Sequence, residues 1–120
     1  MEGKYISIIS YKKNDEEIAT PVWFIEKDGI LYVITEDDSY KVKRLRNNIR
    51  VKVATSNFRG KPKEKYREGN VRFLSNVELD IMKNLFRKKY FWYRFIDHIW
   101  ERAERKGKRK GAILLEIKID

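Results

Sequence analysis

Three strand-like segments fall within the first 35 residues of this chain, and the links between them are too short for anything but antiparallel pairing. Tyr5 to Lys12 is rich in Ile, Tyr and Ser, and Glu17 to Glu26 is rich in Ile, Val, Trp, Phe and Thr, the residues that suit a pleated, half-buried surface. Asn14-Asp15-Glu16 supplies a polar turn between them. Asp28-Gly29, a pair that tolerates positive φ, marks a second hairpin leading into a third strand, Ile30 to Thr35.

Further along, Glu36-Asp37-Asp38-Ser39 has the acidic residues and capping hydroxyl of a helix start, and Lys41 to Asn48 is the short helix it predicts. Ile49, Val51 and Val53 alternate with Arg50 and Lys52, which predicts a half-buried fourth strand. Arg59-Gly60-Lys61-Pro62 reads as a loop, and Val71 to Leu74 as part of a fifth strand. Ser75-Asn76-Val77-Glu78 has capping-box spacing, and Leu79, Met82, Leu85, Phe86 and Tyr90 follow at helical intervals. A second stripe, Trp92, Phe95, Ile96, Ile99 and Ala103, continues after a break near Tyr90-Phe91. The basic loop Lys106 to Lys110 then leads to a closing strand in which Ile113, Leu115, Ile117 and Ile119 alternate. The pattern predicts one β-dominated α+β domain over residues 1–120, with the sheet curled into a barrel to limit its exposed edges.

Composition narrows the chemistry. The chain has no cysteine and a single histidine, so disulfides, thiolate nucleophiles and Cys-ligated metal sites are excluded, and a transition-metal site within one chain is disfavoured. His98 stands between helical apolar residues and reads as a surface or structural position. No apolar run approaches the length of a membrane span, and Met1-Glu2-Gly3-Lys4 leads into a strand without a signal-peptide core, so a cytoplasmic location is expected. The net charge of +10 is uneven: residues 1–40 carry 4 basic and 9 acidic side chains, and 41–120 carry 24 basic and 9 acidic. The basic part should meet an anionic partner, whether nucleic acid, a membrane surface or the phosphate of a small ligand.

Three separated stretches, Ala19-Thr20-Pro21-Val22-Trp23-Phe24, Leu31-Tyr32-Val33-Ile34-Thr35 and Ser39-Tyr40-Lys41-Val42-Lys43-Arg44-Leu45-Arg46, together resemble the pyridoxamine 5′-phosphate oxidase-like superfamily, in particular its subgroup that uses the deazaflavin coenzyme F420. The similarity continues through Asn48 to Val51, the Arg59 to Pro62 loop, Lys88-Lys89-Tyr90 and the last strand. It implies an FMN-binding split β-barrel of about six strands in Greek-key order, with a short helix after the third strand and C-terminal helices before the last. It also implies a homodimer, and an oxidoreductase passing hydride between FMN or F420 and a small substrate. Haem, which some related split barrels bind, is a third ligand compatible with these residues.

Pro21 cannot donate to a strand ladder, so Thr20-Pro21-Val22-Trp23 should lie at an edge or bulge, where free backbone groups could meet the polar rim of a ring and Val22 and Trp23 its faces. Ordinary core is the alternative for Val22, Trp23 and Phe24. Ser39, Lys41, Lys43 and Arg44 cluster at a predicted helix start, a setting that favours a phosphate. The resemblance assigns cofactor contacts to Thr35, Lys41 and Arg44, with Ser39 assisting, while Lys43 and Arg46 fit a solvated basic face. Tyr40 stands where the family often has glycine, which implies a different approach of backbone to phosphate. A non-enzymatic nucleic-acid-binding barrel is the competing function, motivated by the basic excess and by Lys88-Lys89-Tyr90-Phe91-Trp92-Tyr93-Arg94. It lacks a diagnostic motif, so nucleic acid ranks below the flavin. A barrel that retains the fold without a cofactor is the third reading.

Overall fold

A computed structural model of the chain describes residues 3–89 and 112–120. Its elements are β1 (Tyr5–Tyr11), β2 (Glu17–Trp23), β3 (Ile25–Lys27), β4 (Ile30–Glu36), α1 (Tyr40–Asn47), β5 (Arg50–Ser56), β6 (Arg67–Leu74), α2 (Asn76–Lys89) and β7 (Ala112–Ile119). The expected helical stripe from Trp92 to Ala103, His98 and the loop Lys106 to Lys110 lie outside the described residues.

The strands form one antiparallel sheet in the order β2-β1-β5-β6-β7-β4-β3. It has seven strands rather than about six, because the segment read as a single strand from Glu17 to Glu26 is two. Trp23 ends β2 at one edge of the sheet and Ile25 begins β3 at the other, with Phe24 alone between them. One residue cannot cross a flat sheet of seven strands, since neighbouring strands lie about 4.8 Å apart. The sheet must therefore curl until its ends meet, and β2 does approach β4. The result is a half-barrel whose edges adjoin without pairing, and the short helix α1 follows the fourth strand instead of the third.

Turn chemistry sets the hairpins as the sequence predicts. Asp28 and Gly29 both take positive φ, 55° and 79°, the pair of left-handed residues that a two-residue hairpin turn requires. At the first hairpin Asp15 has φ 67°, and Asn14 Oδ1 accepts the Glu16 amide at 3.0 Å. Pro21 sits on the edge strand β2, opposite Ser7, where its missing N–H breaks no ladder on the open side.

The curl creates two apolar layers. Inside it, Ile6, Ile8, Phe24, Leu31, Val33, Val53, Leu115 and Ile117 are fully buried, and Leu45 of α1 plugs the same cluster. On the outer face of β3, β4 and β7, α2 lays down Leu79, Met82 and Phe86 against Ile25, Ile34 and Leu114. That is the helical face the periodicity predicts. Ser75 caps α2: its Oγ accepts the Glu78 amide at 3.3 Å and donates to the Glu78 carboxylate at 3.1 Å.

At Gly69 the backbones of β6 and β7 approach closely. A β-carbon placed on Gly69 would lie 2.5 Å from the Lys118 carbonyl oxygen and 3.3 Å from Ile119 Cα, so the two backbones approach in a way only glycine permits. Gly69→Ala is expected to cost about 1–3 kcal/mol, the usual penalty of overpacking, read as a lower urea midpoint with unchanged slope.

Candidate functional site

Helix α1 starts where the acidic stretch after β4 ends. Ser39 is its N-cap, with Oγ accepting the Val42 amide at 3.3 Å. The sequence Tyr40-Lys41-Val42-Lys43-Arg44-Leu45 then turns Val42 and Leu45 into the core, both fully buried. This leaves Lys41 and Arg44, three residues and so about one turn apart, on one flank of the helix. Arg44 Nε donates to Ser10 Oγ at 2.7 Å, and Ser10 is itself fully buried at the end of β1. Arg44 is thereby fixed to the sheet by one nitrogen, with its two terminal nitrogens left for a ligand.

Lys41 is electrostatically unusual. Burial pushes its ammonium below the ordinary lysine pKa, and the neighbouring Arg44 pushes it further the same way. Neither cation has a carboxylate partner among the described residues. Of the other α1 cations, Arg46 pairs with Asp37 at 2.7 Å and lies over the Phe73 ring, and Lys43 lies over the Tyr40 ring. Holding two like charges close together on a half-buried helix flank without an anion costs stability, so the arrangement is one an anion would relieve.

The other expected site residues distribute over both sheet faces. Thr35 is buried at the end of β4, on the inward face with Leu31 and Val33. Val22 belongs to the inner core, and Thr20 alternates onto the same side. Pro21 and Trp23 face outward: Pro21 stands against Gly60, and Trp23 packs on the cluster beneath α2. Val22 and Trp23 therefore do not share a face. The structure thus brings together Lys41, Arg44 and the Ser39 cap, while Thr20, Pro21, Val22 and Trp23 follow the alternation of an edge strand.

Beside Arg44 a groove of about 240 Å³ opens between α1 and the first hairpin, lined by Tyr11, Lys12, Lys13, Tyr40, Lys43, Arg44 and Asn47. A second depression, sharing Tyr11, Lys12, Lys13 and Asn47, continues it to Asn48 and Asp15. Tyr11, Lys12, Lys13 and Asn47 are functional candidates the sequence reading missed. No local pattern marks the first three; they reach α1 because the helix packs on β1.

Two further polar clusters are structural. Glu116, 5% exposed on β7, accepts both Arg72 Nε and Nη2, at 3.1 and 3.0 Å. The Arg72 hydrogen bonds hold its carboxyl below the usual range, whereas burial and then Glu116 raise the Tyr32 phenol opposite. At the far end of α2, Lys89 Nζ donates to the Phe24 carbonyl at 2.7 Å and lies 3.7 Å from the Phe24 ring centre. Burial lowers its pKa, with Glu26 opposing.

No protein-family model matches the sequence, and no curated protein does. Solved structures do match it in fold. An FMN-binding, pyridoxamine 5′-phosphate oxidase-related protein of Nostoc punctiforme superposes with TM-score 0.63 at 12% identity, over 97% of this chain and 70% of that one. The fold is a split barrel. A FAD-binding protein of Mesorhizobium loti gives TM-score 0.61 at 16% identity, covering 98% of this chain and 80% of its own. The haem storage protein of Vibrio cholerae gives 0.60 at 12% identity, covering 98% and 82%. At these identities the split barrel's likeness to the three is one of fold alone. Among the described residues no helix is long and apolar enough to cross a membrane.

Proposed function

We propose that this split barrel binds the phosphate of a flavin, FMN or the deazaflavin F420, through Lys41 and Arg44, and serves as an oxidoreductase. The observation that carries the reading is the pair of unneutralised cations on α1, the partly desolvated Lys41 in its capped first turn and Arg44 in its last, held by Ser10. A phosphate there would favour the charged form of Lys41, meet the free edge of the Arg44 guanidinium, and lie near first-turn amides that have no carbonyl partner within the helix. The names of two fold neighbours, FMN-binding and FAD-binding, support the same ligand class.

When bound, the ring system would supply hydride transfer to or from a small substrate. The chain's own part is to bind and orient. Lys41 and Arg44 neutralise the phosphate, Ser10 holds Arg44 in place, and Ser39 fixes the helix start that presents both. Thr35, at the neighbouring end of β4, is proposed as a further contact, and Thr20 to Trp23 as the edge beside which the ring lies. A homodimer is part of the proposal, because the barrel keeps two strand edges, β2 and β3, that a second copy can cover.

Titration with FMN and with F420, followed by absorbance, tests the reading: saturable binding of either supports it, and binding of neither refutes it. Sedimentation at micromolar concentration with the bound ligand should give the mass of two chains; a monomer would remove the dimer from the proposal.

A further inference from the structure

The flavin reading makes no use of the groove between α1 and the first hairpin beyond its Arg44 corner. Its lining has a distinct chemistry. Tyr40 is 78% exposed, unusual for so large a ring, and Lys43 Nζ lies 5.2 Å from its centre. The opposite wall carries Tyr11, Lys12 and Lys13. Of the cations, Lys12 is answered by Glu16 at 3.2 Å, but Lys13 and Lys43 have no acidic partner among the described residues. The floor runs on through Asn47 and Asn48 into the adjoining depression.

We infer that this groove binds single-stranded nucleic acid. Two aromatic side chains, one on each wall, offer rings on which a base can stack, Tyr40 by the face away from Lys43, and lysines without an acidic partner beside each supply charge for the backbone phosphates. Asn47, in the lining of both depressions, adds an amide that can donate to or accept from a base edge. The chain's net charge of +10 favours approach of a polyanion. A strand is favoured over a single nucleotide because the groove does not close around one ring but runs on into an adjoining depression, where Asp15 and Asn48 join the shared Tyr11, Lys12, Lys13 and Asn47.

The test is fluorescence anisotropy of a labelled oligothymidylate about twelve nucleotides long, titrated with the full chain at salt concentrations between about 50 and 200 mM. Tyr40→Ala should weaken binding about five- to a hundredfold, through loss of one stacked base. Lys13→Ala and Lys43→Ala should each flatten the dependence of log affinity on log salt by about 0.7. Lys61→Ala and Lys118→Ala, which remove the same charge from exposed sites elsewhere, should leave that slope unchanged. The inference is overturned by absence of saturable binding, by equal effects of all four lysine variants, or by thymidine monophosphate competing as well as the oligomer. Parallel FMN titrations separate this inference from the flavin reading: Lys13→Ala should bind FMN like the wild type, whereas Lys41→Ala should weaken FMN binding roughly ten- to a hundredfold and keep the oligonucleotide. If Tyr40→Ala weakens FMN and spares the oligonucleotide, the groove belongs to the flavin and the inference fails.

Discussion

Phe24→Ala is expected to remove about 3–5 kcal/mol of stability, the range for truncating a fully buried aromatic, against a total near 5–15 kcal/mol for a domain. Phe24 is 0% exposed and is the single residue that carries the chain from the β2 edge of the sheet to the β3 edge. Its ring fills the inner core where the two ends of the sheet come together, and its carbonyl takes the Lys89 ammonium. Alanine would leave a cavity at that seam and strip the desolvated Lys89 of the ring beneath it, weakening the hold of α2 as well. Phe24→Leu, which keeps most of the volume, should lose distinctly less. Urea unfolding measures both; a Phe24→Ala loss below about 1 kcal/mol would be smaller than core truncation allows and would show that the seam is held elsewhere.

The same residue marks where the sequence ceased to be legible. Trp23, Phe24 and Ile25 are all strand formers, so nothing local distinguishes one strand from two. The break is a tertiary event, imposed because a curled sheet must bring its ends together. Features carried by short-range chemistry read correctly: the Asp28-Gly29 turn, the Ser39 and Ser75 caps, the apolar face of α2 and the inward alternation of β7. Within the site, the adjacency of Lys41 and Arg44 follows from their helical spacing and was visible. The anchor at Ser10 was not, because it lies 34 residues away in sequence. The wall formed by Tyr11, Lys12 and Lys13 was hidden for the same reason.

Removing either cation of the α1 pair should weaken FMN binding roughly ten- to a hundredfold, the equivalent of about 1.5–3 kcal/mol for one charge-assisted hydrogen bond. The two variants should differ in what they do to the ligand-free protein. Arg44→Ala leaves the buried Ser10 hydroxyl without its partner and should lower stability by about 1 kcal/mol. Lys41→Met removes a desolvated ammonium that Arg44 repels, so without ligand it should melt no lower than the wild type, and higher if the repulsion dominates. The sign of the pH dependence follows from the lowered pKa of Lys41. Below that pKa both folded and unfolded chains carry the proton and the full penalty is present; as pH rises towards the ordinary lysine value the folded state sheds it, so the free protein gains stability in that alkaline window. Phosphate reverses the balance by favouring the charged form, so FMN affinity should fall over the same rise in pH. Lys63→Ala, which removes an exposed charge in the 57–66 loop, serves as the control and should change neither affinity nor its pH dependence. Equal FMN affinity in Lys41→Met, Arg44→Ala and Lys63→Ala would place the phosphate elsewhere on the barrel. Fluorescence titration of FMN across the alkaline range, with thermal melts of the same samples, measures affinity and stability together and separates a lost ligand contact from a loosened fold.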